Sequence, residues 1–225
     1  MCRVRFGYGD AMSGATHNER ELKKRRVPQQ ARSKERVERI LDAAAELVAT
    51  RGVEGLSTRG IAESASIPVA SLYQYFADKE DILLALVERD IDAMDEQVMT
   101  DVAELDSPTI ARIVETTMRA FVKVYHRRPA FVMIWLRGRT NQAILRYGRE
   151  HNRRVARDLF DYADGLGLLD AEALPEYAEI AVEIGDRLFQ LAFETDLRGN
   201  TVVLEEAEKM VANYLELYAS PAGRG

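Results

Sequence analysis

STRGIAESASIPVASLYQYFADK, residues Ser57 to Lys79, decides the fold, because it reads as two short helices joined by a tight turn with a third helix following at once. Ser57 or Thr58 can accept a hydrogen bond from the free N–H groups of a first helical turn, and Ile61, Ala62 and Ala65 recur at helical spacing on one face. A short amphipathic helix from about Thr58 to Ala65 follows. Ser66 and Ile67 break that pattern, and Pro68 is tolerated only at a helix start, where its missing N–H would be unpaired anyway and its fixed φ suits the first turn. The second helix therefore starts near Pro68 or Val69. On it, Val69, Leu72, Tyr73 and Phe76 are expected to face inward, leaving Ala70, Ser71, Gln74 and part of Tyr73 and Tyr75 outward. That outward set is small and polar, which suits a helix entering a DNA major groove about 12 Å wide.

Outward from this motif, Val37, Ile40, Leu41, Ala44, Leu47 and Val48 form a helical stripe from about Lys34 to Thr50, ended by Gly52 at a C-cap position. After Lys79, Ile82, Leu83, Leu86, Val87 and Ile91 mark a helix from Glu80 to Met99, acidic in its first turn as the helix dipole favours. The prolines punctuate the remainder: Pro108, Pro129 and Pro175 stand at or near helix starts, and Pro221 lies in the tail. Helices are predicted over about 108–127, 129–137, 140–166, 172–197 and 200–219. No stretch alternates as a strand would, so the fold is predicted to be all-α.

Residues Ser57-Thr58-Arg59, Ile61-Ala62, Ala65-Ser66-Ile67, Leu72-Tyr73-Gln74-Tyr75-Phe76 and Lys79 resemble the DNA-binding domain of the TetR family of transcriptional regulators. The resemblance is sharp from about Lys34 to Met94 and architectural beyond. It departs at two places. Ser66 replaces the usual turn glycine, and a left-handed Ser is less comfortable than Gly. Pro68 stands where a capping Ser is common, which removes a side-chain cap and a phosphate contact. The resemblance implies a three-helix helix-turn-helix domain, a larger helical ligand-binding and dimerisation domain, and pairing of the last two helices of each subunit into a four-helix bundle.

These readings give four segments: a flexible basic tail over 1–33, the helix-turn-helix domain over 34–80 with a connecting helix to about 99, an effector-binding and dimerisation domain over 100–219, and a tail over 220–225. In the tail, Lys23-Lys24-Arg25-Arg26 is either a minor-groove arm or a solvated cluster. Met12 offers an alternative start. The chain has 225 residues and a net charge of −6, which at first argues against DNA. Its distribution reverses that impression: residues 1–79 hold 14 Lys and Arg against 10 Asp and Glu, and residues 80–225 hold 17 against 27. A head of +4 on a body of −10 suits a phosphate-binding module joined to a domain that avoids DNA, since local field sets the contact.

Arg59, Ser71, Tyr73 and Gln74 are the candidates for base edges, with Val69 and Ala70 completing the groove-facing surface. Thr58, Tyr75 and Lys79 are the candidates for phosphates. One helix-turn-helix reads few base pairs, so a homodimer on a palindromic double-stranded operator is expected. Its interface is placed on the last two helices, with Ile184, Leu188, Phe189, Val211 and Tyr214 the leading residues. The alternative is that these stripes pack only within one subunit. Met118, Phe121, Tyr125, Phe131 and Trp135, with polar Arg137 and Asn141, suggest the site of a small-molecule effector; plain core is the competing reading. Arg146, Arg149, Arg153, Arg154 and Arg157 read as a solvated face or as an anion-binding row.

No enzyme signal survives inspection. His17, His126 and His151 lack metal-binding spacing and read as surface or capping histidines, Cys2 is alone, and neither Gly165-Leu-Gly167 nor Gly7-Tyr-Gly9 lies between a strand and a helix. No cofactor is expected. No apolar run approaches the roughly 20 residues needed to span a bilayer, and the basic N-terminus lacks the apolar core of a secretory signal, so no membrane role and a cytoplasmic location are expected. The reading is a ligand-responsive transcriptional regulator, most simply a repressor. Its rivals are a helical protein-interaction module and, on the aromatic segment alone, an all-α enzyme for a hydrophobic substrate.

Overall fold

The structure is a computed structural model that describes the backbone over residues 17–138 and 141–225 and the side chains of those residues from Ala31 onward. Among the described residues the regular structure is helical apart from one isolated bridge, Leu169 to Ala219. Backbone contacts divide the chain into two units, Met1–Arg39 and Ile40–Gly225, and each is taken by itself.

In the first unit the backbone is helical from His17, because α1 spans His17–Arg51. This corrects the expected start near Lys34. The stretch is rich in Arg, Lys, Glu and Gln, which favour helix by propensity without any apolar stripe to signal it. Pro28 consequently lies inside a helix and not in an irregular tail. The side chains of Lys23 to Arg26 and of His17, together with Cys2 and Met12, lie outside the described residues.

The second unit opens with buried Ile40, Leu41, Ala44 and Val48 on α1. Gly52 closes that helix in the left-handed region, φ 74°, its N–H donating to the Val48 carbonyl at 2.9 Å. Helix α2 (Thr58–Ser64) is capped by Ser57, whose hydroxyl accepts from the Gly60 N–H at 3.1 Å. Ile61 and Ala62 on α2 and Leu72 on α3 (Val69–Leu72) are fully buried. Between them Ser66 takes φ 54°, the one non-glycine residue at positive φ among the described residues. The strain expected of a Ser at the turn is therefore present. A left-handed L-residue costs roughly 1–2 kcal/mol. Ser66→Gly is expected to stabilise the chain by about 1 kcal/mol and raise its melting temperature by about 2–4 °C in thermal unfolding.

Helix α4 (Lys79–Ala103) is the spine of the unit. Asp78 caps it by accepting from the Asp81 N–H at 2.9 Å, while the Asp81 carboxylate accepts from the Ala77 N–H at 3.0 Å, a reciprocal pair that fixes the angle at which the chain enters α4. Asp90 lies on its buried side, 2% exposed. Arg128 Nη1 reaches its Oδ1 at 2.5 Å and Arg89 Nε at 3.3 Å, and Arg89 Nη1 also holds Asp42 of α1 at 2.7 Å. Burial pushes the Asp90 carboxyl above the ordinary carboxylate range, although both guanidiniums act in the opposite direction. Arg128 itself breaks the helical path, with φ −131° and ψ 69°, between α5 (Ile110–Arg127) and α6 (Pro129–Val132).

A π-helical turn, Met133–Arg137, follows α6, then α7 (Gln142–Gly165), α8 (Pro175–Ala192) and α9 (Thr201–Glu216). The five expected C-terminal helices are present, but the one expected over 129–137 is a short α-helix continued by the π-helical turn, and α8, expected to reach 197, ends at Ala192. Helix α8 packs on α7 and α9, and α5 packs on α4 and α9. Backbone hydrogen bonds from Ser220 N–H to Leu168 O and from Ile110 N–H to Gly223 O, each 2.9 Å, tie the C-terminal residues across the end of this bundle.

Candidate DNA-binding and ligand sites

Leu72 and Phe76 turn inward from the second helix of the turn motif, and this fixes what faces out. Arg59, Val69, Ala70, Tyr73 and Gln74 are exposed, and Thr58, Ser71, Tyr75 and Lys79 are half-buried. Val69 and Tyr73, expected to face inward, do not: they are 37% and 53% exposed, because α3 is a single turn after Pro68 and only Leu72 and Phe76 point at the core. Tyr73 and Thr58 also meet each other, hydroxyl to hydroxyl at 3.0 Å, so the end of α3 is pinned to the start of α2. Every residue assigned to DNA by the sequence is thus at least partly exposed.

A cavity of about 1090 Å³, its open mouth included, lies among α4, α5, α7, α8 and α9. Met94, Phe121, Trp135, Val155, Phe160 and Phe189 supply much of its wall. Leu174 also lines it and is 49% exposed, so the cavity reaches the surface beside the start of α8. Gly148 is required where α7 passes Trp135: a Cβ there would stand 2.8 Å from the indole ring. An apolar, aromatic lining with a few polar groups is that of small-molecule sites in general.

Residues 40–86 match the family model for bacterial regulatory proteins of the tetR family, and residues 108–219 match the model for the tetracyclin repressor-like C-terminal domain. The chain belongs to the TetR family.

Two curated relatives of the TetR member are HTH-type transcriptional repressors KstR. The one from Rhodococcus jostii (strain RHA1) is 39% identical over 62 residues, 28% of this chain and 29% of that protein. The one from Mycolicibacterium smegmatis is 36% identical over 76 residues, 34% of this chain and 36% of that protein. The match therefore spans about a third of the length of these relatives. A solved TetR-family transcriptional regulator from Streptomyces coelicolor is 28% identical and superposes with a TM-score of 0.66 over 81% of this chain and 99% of its own. Members of the family are DNA-binding regulators and not enzymes. Among the described residues no helix is long and apolar enough to cross a membrane.

Within this TetR fold the expected ligand residues divide. Met118, Phe121, Tyr125 and Trp135 line the cavity. Phe131, Arg137 and Asn141 do not. Phe131 is fully buried behind the wall, its ring 5.8 Å from Trp135 and 5.7 Å from Tyr125. Arg137 turns away to donate from Nε to the Phe193 carbonyl at 2.7 Å, and Asn141 caps α7 by accepting from the Ala143 and Ile144 N–H groups. The sequence reading missed His151, Asn152 and Thr117, which also line the cavity. His151 is a buried residue, not a surface one, and its Nε2 pairs with Asp95 Oδ1 of α4 at 2.8 Å. Its signal in the sequence is its place on the stripe Ile144, Gly148, His151, Val155 of α7.

The expected dimer residues divide as well. Phe189 and Val211 are 2% and 8% exposed and line the cavity within one subunit. Ile184 is exposed, and Leu188 and Tyr214 are half-buried. The arginines 146, 149, 153, 154 and 157 form an exposed row on α7.

Proposed function

We propose that the protein is a ligand-responsive transcriptional repressor, acting in the cytoplasm as a homodimer on a palindromic operator and released by a small apolar effector. Residues 34–80 are the DNA-binding domain, α4 to about Met99 is the connection, and residues 100–219 bind the effector and the second subunit. The observation that carries this reading is that one helix serves both sites. Lys79, its first residue, follows directly on the turn motif, and Met94, four turns on, is part of the cavity wall. An effector that displaces α4 changes the spacing of two reading heads, by no more than its preference for the non-binding state allows.

Selection of binding sites from random duplex DNA by the purified protein tests the reading. A recovered palindrome whose binding falls steeply with salt supports it, and shallow or absent duplex binding at low salt favours a protein-interaction module instead. On the selected operator, Gln74→Ala is expected to cost about 1–3 kcal/mol and to relax preference at one base position, as measured by titration against single-base variants. Lys79→Ala is expected to weaken all sequences alike and to reduce the salt slope by about 1. Equal loss at every base from Gln74→Ala would remove it from the readout.

A further inference from the structure

The cavity wall is apolar except at a few places, and two of those are anomalous. Thr117 on α5 and His151 on α7 are 7% and 2% exposed, both line the cavity, and neither Thr117 Oγ1 nor His151 Nδ1 has a hydrogen-bond partner among the described residues. Buried polar atoms are paired in nearly all folded proteins, so two orphans on one cavity mark where a ligand's polar group belongs. Asn152 differs, since its Nδ2 is already engaged with Glu183 Oε1 at 3.1 Å.

The chemistry of that group follows from the partners. His151 Nε2 faces the Asp95 carboxylate, which only accepts, so the neutral ring places its proton on Nε2 and leaves Nδ1 as an acceptor. Nδ1 then needs a donor, and the Thr117 hydroxyl can give or accept one. An alcohol O–H satisfies both atoms, donating to Nδ1 while its lone pairs take the Thr117 proton. A carboxylate does not, because it has no proton to give and, among the described residues, no Lys or Arg lines the cavity to balance its charge. Asp186, another lining residue, repels it further.

We propose that the effector is a neutral, largely apolar alcohol whose hydroxyl is bound by Thr117 Oγ1 and His151 Nδ1, with Asp95 of α4 as the positioning residue that sets the histidine tautomer. This rests on the reading of the protein as a ligand-responsive regulator and names the ligand class. It also joins the ligand to α4 through two hydrogen bonds in series.

Trp135, the single tryptophan, lines the cavity and makes binding visible by its own fluorescence. The probes are 1-decanol, methyl decyl ether and decanoate, which share one apolar body. In the native protein decanol is expected to bind at least tenfold tighter than either of the others, since each leaves a buried polar atom unpaired or a charge uncompensated. His151→Phe should bring the decanol-to-ether ratio close to one while the variant still binds the ether, whereas Thr117→Val, which keeps shape and removes a donor that both oxygens accept from, should weaken decanol and ether alike. Asp95→Ala, which frees the histidine to carry its proton on Nδ1, should shift preference toward the ether, a change that a purely structural Asp95 would not produce. Equal binding of alcohol and ether by the native protein, tighter binding of decanoate, a ratio unchanged in His151→Phe, affinities for decanol and ether both unchanged in Thr117→Val, or no response to any probe would each overturn the assignment. Operator binding is measured separately: a decanol preference without any effect on the operator leaves the ligand class standing and removes the regulatory reading.

Discussion

Arg128→Ala is expected to lower the stability of the folded chain by about 3 kcal/mol, near the lower end for removing one partner of a buried ion pair. Asp90 is almost fully buried, and Arg128 reaches it at 2.5 Å while Arg89 stands at 3.3 Å and is shared with Asp42. Without Arg128 a carboxylate remains inside the protein with one divided partner, so its folded-state pKa rises further above the ordinary value. Such a group contributes stability below the unfolded pKa and loses it as pH rises through the folded one. The deficit of the variant is therefore larger at pH 7 than below the ordinary carboxylate range, where Asp90 is protonated in both proteins. In thermal unfolding it amounts to about 6–12 °C. The double variant Asp90→Leu, Arg128→Met is expected to recover most of the loss, because an apolar pair of similar volume replaces a buried ion pair at little cost. If the double variant is no more stable than Arg128→Ala, the loss arises from the backbone break at residue 128 and not from the charge.

The pair also lies midway along α4. Asp90 lies between Lys79, at the end of α4 nearest the DNA-binding surface, and Met94 and Asp95, where α4 meets the cavity and His151. Arg128 sits at the break between α5 and α6.

Local signals carried most of the fold. Ser57, Pro68 and Asp78 mark helix starts by the chemistry of one or two residues, and the left-handed turn at Ser66 is legible only through the family resemblance, which puts a glycine there. Period alone could not find the first half of α1, where charged helix formers supply propensity without a stripe. The cavity was half legible for a related reason. Phe121, Trp135 and Phe131 look alike in sequence, yet the first two line the cavity and the third lies behind it, a difference made by neighbours far along the chain. His151 pairs with Asp95 across 56 positions, so its partner is invisible locally. Its place on the apolar stripe of α7 was the one available sign.

Ile184→Glu is expected to convert the protein to monomers and to weaken operator binding by about 10²–10⁴-fold, the advantage that linked engagement of two half-sites confers. Helices α8 and α9 pack on each other and leave an apolar outer face: Ile180, Ile184 and Leu191 on α8 are 45%, 37% and 47% exposed, and Met210 on α9 is 54% exposed. A row of this kind, unusual on a soluble surface, suits burial against its own copy about a two-fold axis. Gly185 and Phe189 point the other way, into the cavity wall, so a charge at residue 184 leaves the fold intact. Sedimentation gives the oligomeric state, and operator titration gives the affinity. Phe189→Ala is the matching control: it removes a buried ring that meets Phe121 at 5.8 Å and Tyr125 at 5.5 Å, and so should lower stability by about 3–5 kcal/mol and impair decanol binding without dissociating the dimer. A dimeric Ile184→Glu protein with native affinity would place the interface on another face, and a Phe189→Ala protein that dissociates would mean that the inner and outer faces of α8 are not independent.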